Sequence, residues 1–250
     1  MEFPALHTRL IGEAARLRAA LAAADPVAKV PSCPEWTAAD LLDHVVEVYD
    51  DKTQCMRLLR EPTGADRLDR PGTGLERFDA ALADLLAAFA ERGPDSLAYT
   101  WYGPDQSVGF WIRRMAQETH IHRVDAELTA RQPISPIDPA LALDGIDEMH
   151  TVMLAWGSRA YRRWVAGTLT ANLGLVVALD AGSRAWTFRF GPDGIDAESG
   201  IAEDAQATLT GAPGDVLLWL WRRVPVDALA VSGDAGKAAA LYDLIAEFAQ

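Results

Sequence analysis

The chain has 250 residues, enough to bury a substantial core in one large domain or two modest ones. Half of it is hydrophobic and about a quarter charged, with 36 acidic residues against 23 basic ones and a formal charge of −13. That balance argues against a nucleic-acid backbone or an anionic membrane as the main partner, since both require a basic face. A small-molecule ligand stays open.

The N-terminus, "MEFPALHTRLIGEAARLRAA", carries an early Glu and scattered charges, so it lacks the basic-then-apolar order of a secretory signal. No apolar run approaches the roughly 20 residues that span a bilayer. Cys33 and Cys55 could pair only once, a poor framework for this length, and two reduced thiols in a cytoplasmic protein are expected. Nothing basic adjoins Cys33 to make it reactive.

In chain order the first 165 residues read as successive helices. The first covers about 4–24 and is followed by the Pro-rich loop "VPSCPEW". Thr37 and Asp40 in "TAAD" form a capping-box pattern for a second helix running to about residue 60. After the loop "EPTGADRLDRPGTG" a third helix spans about 75–91, and a fourth starts near Val108. Asp138 and Pro139 in "SPIDPA" cap and open a fifth helix that extends to about 164. Thereafter "TLTANLGLVVALD", "AWTFRFG" and "AQATLTG" read as strands, bounded by Gly, Asp and Pro. A helix "GDVLLWLWRR", a strand "DALAVSG" and a helix "KAAALYDLIAEFA" complete an α+β chain. A helical bundle over 1–165 and a small α+β domain over 166–250 are predicted.

Helical spacing sorts the polar residues. Leu41, Val45, Val48, Cys55 and Leu59 make an apolar stripe with His44 in its middle. Trp111 and Met115 start another stripe, which Glu118 and His122 continue, whereas His120 lies on the opposite side. An unpaired carboxylate on a core-facing stripe costs at least a few kcal/mol, so Glu118 needs a partner. A plain Glu118–His122 hydrogen bond would satisfy it, and a lone inward His44 would be an ordinary core histidine. Together the three form a two-imidazole, one-carboxylate set that suits zinc or a similar divalent cation with one position left open. His150 sits on a third stripe, as a core residue or a further ligand. Asp125 could orient His122, ligate, or pair with an arginine. "GDAGKAA" at 233–239 lacks the Ser or Thr that a phosphate loop needs after Lys237.

"VPSCPEWTAADLLDHVVEV", "RRMAQETHIHRVDAE" and "LTGAPGDVLLWLWRRVPVDALAVSGD" resemble, in order, three blocks of the mycothiol-dependent maleylpyruvate isomerase family. The resemblance implies a DinB-like four-helix bundle followed by a sterol-carrier-like α/β domain. It further implies a divalent metal, usually zinc, held by His44, Glu118 and His122, with mycothiol as the thiol cofactor or co-substrate. In the third block a basic residue reaches the active site, and Arg222 or Arg223 matches it. Where the family has Gly before that residue, this chain has Arg222.

A thiol of pKa near 8.5 is mostly protonated at neutral pH, and a divalent cation removes that proton. The expected chemistry is attack of the thiolate on a small electrophile, giving isomerisation if the adduct eliminates and S-transfer if it persists. Two rival readings are hydrolysis by metal-activated water and a non-enzymatic metal- or ligand-binding module.

Overall fold

Side chains that satisfy free backbone N–H groups set where the helices begin. In the computed structural model, which describes residues 1–247, α1 (Phe3–Ala23) opens with Pro4 in its first turn. A short antiparallel hairpin, β1 (Lys29–Val30) and β2 (Cys33–Thr37), follows where a loop was expected. Thr37 ends it and caps α2 (Ala38–Leu58): its hydroxyl accepts from the Asp40 N–H at 3.2 Å, and the Asp40 carboxylate accepts from the Thr37 N–H at 2.8 Å. Leu59, at φ 55°, ends the helix. Thr73 and Glu76 repeat the capping box for α3 (Gly74–Arg92), and Ser107 caps α4 (Val108–Thr129).

These four helices make the first unit, Met1–Pro136. Helix α4 packs against α1, α2 and α3, and 19 of its 22 residues are buried. That burial is why its polar residues matter: nearly every one must find a partner inside the protein. Gly109 permits the closest approach to α1, since a Cβ there would lie 2.5 Å from the Phe3 ring.

The second unit is Ile137–Gln250. The division therefore falls between Pro136 and Ile137, earlier than the boundary near 165 expected from sequence. The cause is packing: α5 (Pro139–Glu148) lies on a later helix of this unit, Pro213–Leu220, and the π-helical segment Met149–Trp156 lies on the strand Gly194–Ser199. Asp138 caps α5 as expected, accepting from the N–H groups of Ala140 and Leu141, with Pro139 in the first turn. The predicted single helix to 164 is instead α5, the π segment, α6 (Gly157–Ala160) and α7 (Arg162–Ala171). "TLTAN" thus ends a helix rather than beginning a strand.

A five-stranded sheet follows in the order β5-β4-β3-β6-β7, from β3 (Val176–Asp180), β4 (Ala185–Gly191), β5 (Gly194–Ser199), β6 (Ala207–Thr210) and β7 (Ala230–Gly233). Only β3 and β6 pair in parallel. Helix α8 (Pro213–Leu220) connects β6 towards β7, and α9 (Ala235–Ile245) covers β3 and β6. Asp234 caps α9 in "GDAGKAA", which accounts for that Gly-containing turn without a phosphate. The last two residues of the predicted final helix, 248 and 249, lie outside the described residues. A helical N-terminal region followed by a mixed-sheet domain is the architecture expected from sequence. Among the described residues no helix is long and apolar enough to cross a membrane.

Candidate metal centre

His44 projects from the second turn of α2 and Glu118 and His122 from successive turns of α4. Both histidines turn Nε2 onto the same carboxylate oxygen, Glu118 Oε1, at 3.3 Å for His44 and 3.0 Å for His122. One ligand atom from each residue lies within 4.8 Å of the other two, so the group could hold a metal ion. The rings of His44 and His122 stand edge to face, 4.9 Å between centroids. Two imidazoles and a carboxylate are a donor set suited to zinc and its neighbours.

The surrounding residues fix these donors. Arg114, one turn before Glu118, donates to Oε2 at 2.7 Å and leaves Oε1 to the histidines. Asp125, fully buried, accepts from His122 Nδ1 at 2.9 Å and from the Ser32 hydroxyl of the hairpin turn at 2.5 Å. Burial alone would raise the Glu118 pKa, but the charge and hydrogen bond of His122, with His44 and Arg114, hold it well below the usual carboxylate range. Burial likewise works against the charge on His122, yet Glu118 and Asp125 push its pKa up to about 9. Trp36 covers the pair from the hairpin, its ring 4.6 Å from that of His44 and 6.4 Å from that of His122. Beside it a cavity of about 430 Å³ opens between Glu35, Trp36, Asp40, Asp43, His44 and Glu47.

The other histidines go elsewhere. His120 does face away from Glu118, into a second buried cluster where Nδ1 lies 3.2 Å from Glu13 Oε2. His150 belongs to the second unit and donates from Nε2 to the Thr187 carbonyl at 2.9 Å, as a hydrogen-bonded core histidine. Sequence reasoning overlooked Arg114, Trp36 and Ser32. The four-residue step from Arg114 to Glu118 was a usable signal. Ser32 lies 93 residues from Asp125 and offered none.

Arg222 and Arg223 follow α8 in the second unit. Arg222 sits at φ 59°, the left-handed region that glycine adopts most easily. Its guanidinium stacks 4.3 Å from the Tyr242 ring and donates to the Tyr242 carbonyl at 2.5 Å. Arg223 donates from Nη1 to the Trp221 carbonyl at 2.6 Å.

The chain matches the mycothiol maleylpyruvate isomerase N-terminal domain over residues 7–127 and the C-terminal domain of the same family over 140–240. Among solved structures, a histidine-to-alanine mutant of the mycothiol-dependent maleylpyruvate isomerase is 12% identical, covers 93% of both chains and superposes with a TM-score of 0.61. A "UbiJ-SCP2 Ubiquinone synthesis protein" is 18% identical and covers 46% of this chain and 100% of its own, with a TM-score of 0.31. No curated protein sequence matches. With both domain models matched in order over most of its length, the chain belongs to the mycothiol-dependent maleylpyruvate isomerase family of enzymes.

Proposed function

We propose that this enzyme uses mycothiol to isomerise, or to form a thioether with, a small electrophilic substrate, and that His44, Glu118 and His122 hold the divalent cation that activates the thiol. The observation that carries this reading is the convergence of three donors from two helices within 4.8 Å. A divalent cation bound there, zinc being the usual occupant of such a set, supplies the charge that makes a thiol ionise at neutral pH.

The chain's own residues prepare the site for it. Asp125 accepts a hydrogen bond from His122 Nδ1–H, keeping the proton on Nδ1 and so leaving Nε2 as the ligating atom. Arg114 occupies Oε2 of Glu118 and leaves Oε1 free to ligate. Trp36 shields the histidines on one side, and the cavity beside His44 admits the thiol. The thiolate sulfur adds to a carbon–carbon double bond conjugated to a carbonyl, breaking its π bond and moving that electron pair onto the carbonyl oxygen as an enolate. Rotation about the resulting single bond, then collapse of the enolate with expulsion of the same thiolate, gives isomerisation; protonation of the enolate from solvent leaves the thioether and gives S-transfer. An arginine after α8 holds a substrate carboxylate or developing enolate. Arg223 is the first candidate, because it stands one position after the residue that is Gly in the resemblance, where the basic residue is expected. A low-molecular-weight thiol as co-substrate fits a cytoplasmic protein, as does the lack of a disulfide among the described residues.

Metal analysis of the purified protein, followed by His44→Ala and Glu118→Ala, tests this. About one divalent cation per chain is expected, with both metal and mycothiol-dependent turnover lost in each variant while the helical circular dichroism persists. Full activity in either variant refutes the assignment. Undiminished turnover without any thiol would point to hydrolysis.

A further inference from the structure

A second, larger cavity adjoins the one at His44. It has a volume of about 480 Å³, lies along the exposed face of α2, and is closed on its other side by the loop Pro62–Arg70 and by Arg77 of α3. Asp43 and Glu47 line both cavities, so the two share a rim one helical turn wide beside His44. The size suits a ligand fragment of a few rings. The wall chemistry is unusual for a cavity of this size: nine of its fifteen lining residues are charged, six carboxylates and three guanidiniums.

The three guanidiniums are each paired. Arg77 donates to Asp43 at 2.6 Å, Arg67 pairs with Glu47, and Arg70 forks onto Asp50 at 2.6–2.9 Å while also reaching Asp84. A paired guanidinium and carboxylate cancel in charge, yet neither is saturated. Five N–H donors and about four acceptor sites per pair leave several to face the cavity. Adjacent donors and acceptors at fixed spacing match vicinal hydroxyls, each of which donates once and accepts. The surplus of carboxylates disfavours phosphate and other anions. Apolar surface from Val46, Pro62 and Leu68 adjoins the charged wall and can take the carbon faces of sugar rings.

We infer that this cleft binds the polyhydroxylated end of the thiol co-substrate, a glucosaminyl-inositol in mycothiol, while its sulfur lies at His44. The inference rests on the proposed thiol chemistry for its orientation, but binding of the sugar can be measured apart from it. Asp50 and Asp51 lie six and seven residues beyond His44, about 10 Å along the helix at 1.5 Å per residue. That is a span a cysteine amide linked to two sugar rings can cover.

The test uses the thiol-free pseudodisaccharide glucosaminyl-inositol and metal-free full-length protein, with binding followed by calorimetry and by amide NMR shifts along α2. Saturable binding is expected, weakened about tenfold or more in the exposed double variant Arg67→Ala/Asp69→Ala, whose residues line the larger cavity and not the one at His44. In the metal-loaded enzyme that variant should raise the KM for mycothiol by a similar factor and leave kcat and the KM for N-acetylcysteine unchanged. No binding of the pseudodisaccharide, equal binding by the variant, or parallel loss for both thiols overturns the inference. If the pseudodisaccharide binds as described while His44→Ala keeps full turnover, the cleft stands and the metal reading falls.

Discussion

Replacing Glu13 with Gln should destabilise the first unit by about 3 kcal/mol at pH 6, and by progressively less as the pH falls. Glu13 is fully buried where α1 meets α4, on the side of α4 away from Glu118. Its Oε2 accepts from Arg123 Nε at 2.8 Å and its Oε1 from Arg16 at 2.5 Å, with His120 Nδ1 at 3.2 Å. Burial alone would push the carboxyl up, but His120, Arg123 and Arg16 bring it down to about 2 from 4.5. A drop of about 2.5 units at 1.36 kcal/mol each is about 3 kcal/mol. Breaking a buried ion pair costs about 3–5 kcal/mol. The lower end is expected, because Arg123 keeps Glu127 at 2.8 Å and the Ser135 carbonyl at 3.1 Å. Because the folded-state pKa is depressed, the contribution is complete above about pH 4.5 and disappears as the pH falls through 2. Glutamine mimics the protonated acid, so urea denaturation of wild type and Glu13→Gln should differ by about 3 kcal/mol at pH 6 and roughly half that at pH 3. A difference under about 1 kcal/mol at pH 6, or one that does not shrink on acidification, would refute the reasoning.

Two further outcomes follow from the site. Asp125→Ala should weaken zinc binding by about 10–100-fold in competition with a chromophoric chelator, and Ser32→Ala by less than tenfold because it removes one hydroxyl donor; the reverse ranking would contradict the Ser32–Asp125–His122 chain. Arg222→Ala should lower the melting temperature through loss of its Tyr242 stack, and Arg223→Ala should lower kcat/KM for a carboxylate-bearing substrate by about tenfold or more; an unchanged kcat/KM in Arg223→Ala would count against its role.

The parts legible in the sequence are those whose partners lie within one or two helical turns. Thr37 with Asp40, and Asp138 with Pro139, set helix starts through contacts three residues long or shorter. Glu118 and His122 share a face because they are four residues apart, and an offset of two residues puts His120 on the opposite side. What stayed hidden depended on distant chain. The hairpin carrying Ser32 and Trp36 has one strand of two residues and another containing Pro34, too short and broken for an alternation to show. The π-helical turn at Met149–Trp156 has the same apolar run that an α-helix would have, so the unit boundary at Pro136 could not be placed from periodicity.

Helix α4 shows why one stripe was an incomplete description. Its ligand face meets His44, 74 residues away, and its other face meets Glu13, 110 residues from Arg123. Both faces are polar and both are buried, which a moment calculated for one apolar side would assign to water. Each face is tolerable only because its charges are paired: Arg114 on Glu118, and Glu13 and Glu127 on Arg123. The two sets constrain one another. With Arg123 locked to α1 through Glu13, α4 cannot rotate about its axis without breaking a buried ion pair, so Glu118 and His122 remain directed at His44. A helix held by apolar contacts alone could turn by a fraction of a residue and repack at little cost. The buried pair on the far side is therefore a means of fixing the direction of the donors, and Glu13→Gln should lower metal affinity even though Glu13 belongs to the cluster on the opposite face.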